Sequence, residues 1–173
     1  MVSVYLLTGS PGTGKTTVIR RAIAGSEIKA GSFYTEEIRS GGTRQGFRIV
    51  TLDKHDAILA HVDNPSRYRV SKYGVDLQNL DNIGVAAINR ALKESDLIVI
   101  DEIGKMELFS PRFREAALKA IDSGQKVLGT IMLNPHPFAD QIKRRHEVNV
   151  IELTRANRER VLIEIINWIK GDR

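Results

Sequence analysis

The chain has 173 residues, 42% of them hydrophobic and 27% charged, a length that suits one domain and a balance that excludes wholesale disorder. It contains no cysteine, which excludes a disulfide scaffold, a thiolate-held metal and a thiol nucleophile. The net charge is +5, with eight basic against five acidic side chains from Lys143 onward; this permits contact with nucleic acid, although a solvated basic face is the plainer reading.

Val2–Leu7 reads as a buried strand. It is too short for a membrane span and lacks the basic start of a signal peptide, so a cytoplasmic monomer away from membranes is expected. Thr16–Ala24 carries Val18, Ile19, Ala22 and Ile23 on one helical face, with Gly25 as a stop. Phe33–Arg39 and Gln45–Leu52 flank Gly41-Gly42 and predict a β-hairpin. Asp81 is a candidate cap for a helix running to about Leu92. Leu97–Ile100 is wholly apolar, as in a central parallel strand. Ser110-Pro111 opens a helix whose Phe113, Ala116, Ala117, Ala120 and Ile121 share a face, and Gly124 ends it. Lys126–Ile131 and Val148–Leu153 predict two further strands. Asn157–Lys170 predicts a closing amphipathic helix with Trp168 on the core. This alternation predicts an α/β fold, a mostly parallel sheet with helices on both faces, and one domain over residues 1–173.

The strongest motif is Gly9-Ser10-Pro11-Gly12-Thr13-Gly14-Lys15-Thr16, a full match to G-x-x-x-x-G-K-[ST] between a strand and a helix. A phosphate chain needs inward-pointing backbone N–H groups, which such a loop supplies, and the helix adds its positive dipole end. Lys15 brings a compact charge to the β- and γ-phosphates. Thr16 offers a hard oxygen to Mg²⁺, and Thr17 supports the α-phosphate region. Asp101 and Glu102 directly follow the apolar run 97–100, at the strand edge where ligands bind in open α/β sheets. Asp101 fits a role in holding Mg²⁺. Glu102 fits a general base that polarises the attacking water.

The acidic pair continues as Asp101-Glu102-Ile103-Gly104-Lys105-Met106-Glu107-Leu108-Phe109-Ser110. Together with Gly31–Phe47, Lys72–Asp76, Leu128–Ile131 and Thr154–Arg158, this segment resembles the THEP1-type nucleoside triphosphatases nearly end to end. The resemblance implies a three-layer, RecA-like P-loop NTPase with the hairpin as an antiparallel insertion. In that arrangement Lys126–Ile131 lies between the phosphate-loop strand and the Asp101 strand, and Val148–Leu153 flanks the phosphate-loop strand. It also implies slow, Mg²⁺-dependent hydrolysis of ATP, GTP and other nucleoside triphosphates, and nucleotide contact by the segment from Ile103 to Leu108.

Other residues carry weaker signals. Thr130 ends a strand and reads either as a structural residue or as a candidate to sense the γ-phosphate or hold the attacking water. Lys105 and Glu107 read as a solvated ion pair, and the resemblance sets a nucleotide contact or closure of the fold beside that reading. Glu37 and Arg39 share a strand face opposite Glu36, which predicts a cross-strand salt bridge, with contact to an acceptor or partner as the alternative. Asn157 and Arg158 follow the last strand and are candidate base or ribose contacts, Arg158 by stacking its planar guanidinium. Lys143-Arg144-Arg145-His146 is a charge run from which no spacing rule selects an arginine finger. The four histidines show no ligand spacing. Against a hydrolase stand a P-loop kinase, which moves the γ-phosphate to a small molecule or nucleic-acid end, and a nucleotide-driven switch.

Overall fold

Among residues 1–171, which the computed structural model describes, nine strands form one sheet. They are β1 (Val4–Thr8), β2 (Ala30–Ser40), β3 (Thr43–Thr51), β4 (Asp56–His61), β5 (Arg69–Val70), β6 (Tyr73–Val75), β7 (Leu97–Ile103), β8 (Lys126–Ile131) and β9 (Val148–Glu152). Their spatial order is β5-β6-β4-β3-β2-β7-β8-β1-β9. From β2 to β9 every pairing is parallel. From β2 outward to β5 every pairing is antiparallel. As expected, β8 separates β1 from β7 and β9 flanks β1.

Helices cover both faces because successive strand side chains point to opposite sides. Tyr5, Leu7, Leu97, Val99 and Leu128 pack against α1 (Lys15–Ser26) and α6 (Arg158–Lys170) through Val18, Ile19, Val161 and Ile165. Val4, Leu6, Ile98, Ile100 and Val127 face the other way. They meet Ile88 of α3 (Ala86–Glu94), Phe113 and Ile121 of α4 (Pro111–Asp122), and Ile142 of α5 (Pro137–Lys143). Trp168 donates from its indole to the Val2 carbonyl at 3.1 Å and lies against Tyr5, an edge-of-core role as expected.

The hairpin forms with Gly41 and Gly42 at φ 56° and 80°, the backbone a tight two-residue turn requires. It is more than an insertion, however. Ala30–Phe33 of β2 pair in parallel with Leu97–Ile100, and the same strand then runs on into the hairpin. A core strand therefore extends past the carboxyl edge of the parallel sheet.

Two local expectations change. Gly25 does not stop α1, which runs to Ser26 and closes at Glu27 with φ 54°. Asp81 is not a helix cap. Asp76 accepts the Asn79 N–H at 2.8 Å at the start of α2 (Leu77–Asn79), because only residues ahead of the first turn face unpaired amides. From there the chain passes through a π-helical stretch, Leu80–Val85, into α3, and Asp81 accepts the Ser110 hydroxyl at 2.5 Å. Ser110 itself caps α4, accepting the Phe113 N–H at 3.0 Å.

Candidate functional site

β1 delivers the loop 9–16, and α1 begins at Lys15. Lys15 Nζ donates to the carbonyls of Gly9 at 2.9 Å and Ser10 at 3.0 Å, which holds the ammonium over the loop. Thr13 Oγ1 also donates to Ser10 at 3.0 Å and tightens the turn. Thr17 is exposed at the helix start.

β7 ends beside this loop. Asp101, 2% exposed, receives hydrogen bonds on both oxygens: Thr16 Oγ1 donates to Oδ2 at 2.6 Å and Thr130 Oγ1 to Oδ1 at 2.7 Å. The Thr35 amide adds a third donor. Burial pushes the Asp101 carboxyl up, and the threonine hydroxyls, the Thr35 amide and the Lys15 charge oppose that shift. Thr130 thus grips Asp101 rather than standing free as a γ-phosphate sensor. A Thr16 hydroxyl that donates its hydrogen bond to Asp101 keeps its lone pairs, and the two side chains together are hard oxygen donors of the kind Mg²⁺ takes.

Glu102 follows Asp101 on β7, where the register against β8 shifts between Ile100 and Ile103, and is half-buried. Its carboxyl is pushed up to about 7, first by desolvation and then by the Asp101 charge, with Lys15 pulling it down. A β-carbon on Gly104 would stand 2.9 Å from Glu102 Cδ. Glycine at 104 is therefore what gives the Glu102 carboxyl its place.

The segment after Glu102 divides sharply. Ile103 and Leu108 are buried in the core, so their side chains do not serve the expected nucleotide contact. Met106 packs against the same core. Lys105 is exposed, but Glu107 is only 3% exposed. Glu107 is therefore no half of a solvated ion pair: its Oε1 accepts the Gly104 N–H at 3.1 Å, and burial with the neighbouring Glu102 charge pushes its carboxyl well up. Apolar residues on both sides carry it inward, which a charge-based reading of the sequence does not register.

The loop after β9 also divides. Asn157 accepts the Thr154 N–H at 2.7 Å and donates to the Glu152 carbonyl at 3.0 Å, so its amide holds the turn instead of reaching a base. Arg158 packs across the phosphate loop: a β-carbon on Gly14 would stand 3.0 Å from its Nη1. In the basic run, Arg145 is bound to Asp122 and Glu147. Sequence reasoning missed the Thr35 amide altogether, because a backbone donor leaves no residue signature.

A parallel α/β sheet with a glycine loop opening α1, and an aspartate at the end of β7 bonded to that loop's threonine, defines a P-loop NTPase. The model of the NTPase family matches residues 4–166. The nucleoside-triphosphatase THEP1 of a Thermotoga species is 49% identical over 168 residues, covering 97% of this chain and 96% of that protein. The crystal structure of THEP1 from Aquifex aeolicus superposes with a TM-score of 0.89 at 34% identity, over 97% of this chain and 99% of the other. The solution structure of a human cancer-related nucleoside triphosphatase superposes with a TM-score of 0.82 at 35% identity, covering all of both chains. The chain belongs to this NTPase family.

Proposed function

We propose that the chain is a Mg²⁺-dependent nucleoside triphosphatase that hydrolyses ATP, GTP and other nucleoside triphosphates to diphosphate and phosphate. The observation that carries this reading is the 2.6 Å bond from Thr16 to Asp101, which joins the phosphate loop to the acidic strand end. Relatives named as nucleoside triphosphatases, in Thermotoga and in Homo sapiens, support water as the acceptor over the kinase alternative. Among the described residues no helix is long and apolar enough to cross a membrane. A cytoplasmic monomer, folded as one domain, is the working assumption.

The loop amides, Lys15 and the start of α1 bind the phosphate chain. Lys15 exchanges its two loop carbonyls for the β- and γ-phosphate oxygens. Thr16 and Asp101 would hold Mg²⁺, which would supply charge neutralisation to the phosphate chain. Glu102 orients a water and accepts its proton as the water oxygen bonds to the γ-phosphorus. The bond to the β-phosphate oxygen breaks, leaving diphosphate and phosphate. Arg158, lying across Gly14, adds positive charge on the phosphate side without reading the base.

The test is phosphate release from ATP, GTP, CTP and UTP with Mg²⁺, run beside Lys15→Ala and Glu102→Gln. Comparable turnover on all four is expected. Glu102→Gln should lose about 10²–10⁴-fold, the usual value of a general base, while still binding nucleotide. Parental turnover in Glu102→Gln would remove Glu102 from this role.

A further inference from the structure

A second cavity, of about 410 Å³, opens on the hairpin side of the acidic strand end, walled by Arg39, Arg44, Phe47, Lys72, Tyr73 and Met106 among others. Its size is that of a small-molecule site. Met106, in its wall, belongs to the same short segment as Gly104 and Glu107. β2 runs parallel to β7, so its far end, with Arg39, projects on the edge that bears the phosphate loop.

The walls are selective in charge. Of the residues that line the cavity, Arg39, Arg44 and Lys72 are basic and none is acidic. Glu37 is shared between two arginines: Oε2 lies 2.7 Å from Arg39 Nη2 and Oε1 lies 3.3 Å from Arg44 Nη1. A planar oxyanion spanning two guanidinium groups shows which ligand chemistry the fork accepts.

The fork is also backed. Arg44 Nε donates to the Tyr73 hydroxyl at 2.9 Å, and its guanidinium lies 5.0 Å from the Phe47 ring centre and 5.5 Å from that of Tyr73. Lys72 Nζ stands 5.7 Å from the Tyr73 ring centre. A solvated basic face needs neither a concave shape nor an aromatic floor that holds an arginine in place.

We propose that this cavity binds the phosphate group of a second nucleotide-type ligand, separate from the triphosphate at the phosphate loop, with that phosphate replacing the Glu37 carboxylate in the arginine fork. The ligand is either a phosphorylated nucleoside or a nucleotide within a single strand; the chemistry recognised is the same. The proposal does not depend on hydrolysis at the neighbouring site.

The test is fluorescence anisotropy of the full chain with a 5′-phosphorylated, 3′-fluorescein-labelled oligothymidylate. A non-hydrolysable triphosphate at one equivalent per chain, with Mg²⁺, keeps the phosphate loop filled without excess nucleotide to compete for the fork. Thymidine monophosphate serves as competitor and is also titrated alone by calorimetry. Binding that weakens with salt is expected. Arg39→Ala and Lys72→Ala, both of exposed side chains, should each weaken it roughly tenfold or more, the usual worth of a charge-assisted contact. Glu37→Gln should tighten it by freeing the fork. Displacement by the monophosphate identifies a single phosphorylated nucleoside as sufficient, and displacement by unlabelled strand alone identifies the strand. No binding of either probe, or binding that Arg39→Ala and Lys72→Ala leave unchanged, overturns the proposal.

Discussion

The hydroxyl of Thr130, at the end of β8, donates to Oδ1 of Asp101 on β7 across 2.7 Å. Thr16 holds the other oxygen, so a side chain from each of two neighbouring elements orients one buried carboxylate. Thr130→Val keeps the shape and removes that donor. A buried acceptor left unsatisfied costs about 1–3 kcal/mol. The variant should unfold more easily by that amount in denaturant titrations. It should also need more Mg²⁺ for half-maximal turnover, whereas Thr130→Ser should restore both.

The Glu102 carboxyl, raised to about 7, makes a pH prediction for turnover. A general base works only when deprotonated, so kcat/KM should fall with decreasing pH below that value, about tenfold per unit. Lys15 pulls the same carboxyl down, and charge delivered by Mg²⁺ does so too. Raising Mg²⁺ should therefore shift the acid limb to lower pH. A profile flat from pH 8 to pH 5 would dismiss Glu102 as the base.

Glu107 predicts stability with the opposite sense from a surface carboxylate. Its folded pKa lies well above 4.5, so the folded state binds the proton more tightly than the unfolded chain. Its contribution is most favourable at low pH and declines as pH rises past about 4.5 towards the raised value. Glu107→Gln keeps an oxygen for the Gly104 N–H and has nothing to ionise. The variant should melt above the parent at pH 8, and the gap should close by pH 4.

Arg158 lies against Gly14 of the phosphate loop. Arg158→Ala should raise KM on the order of tenfold, the worth of a charge-assisted contact to phosphate. The factor should be alike for ATP, GTP, CTP and UTP. Arg158→Ala should also weaken binding of inorganic tripolyphosphate, which has no base, by the same factor; unchanged tripolyphosphate binding would indicate stacking on the base instead, because stacking tolerates any base.

Much of the fold was legible because short-range rules govern it. Ser110-Pro111 started a helix, Gly41-Gly42 turned a hairpin, and the apolar run Leu97–Ile100 became a buried central strand. Boundaries set by competition between neighbours were not legible. Asp76 and Asp81 are the same residue type five positions apart, and only the start of the helix decides which of them meets a free amide.

By itself the sequence determined the phosphate loop and the acidic pair, because each is a contiguous run whose chemistry follows from spacing along one strand end and one helix start. Only the tertiary structure decided who holds Asp101: Thr16, Thr130 and the Thr35 amide come from three distant segments brought side by side by the order β2-β7-β8-β1. It likewise decided that Glu107 is buried and that Arg158, not Asn157, reaches the loop. The physical reason is that burial and hydrogen-bond partnership are properties of packed neighbours far apart in the chain, and residue type and spacing carry no record of them.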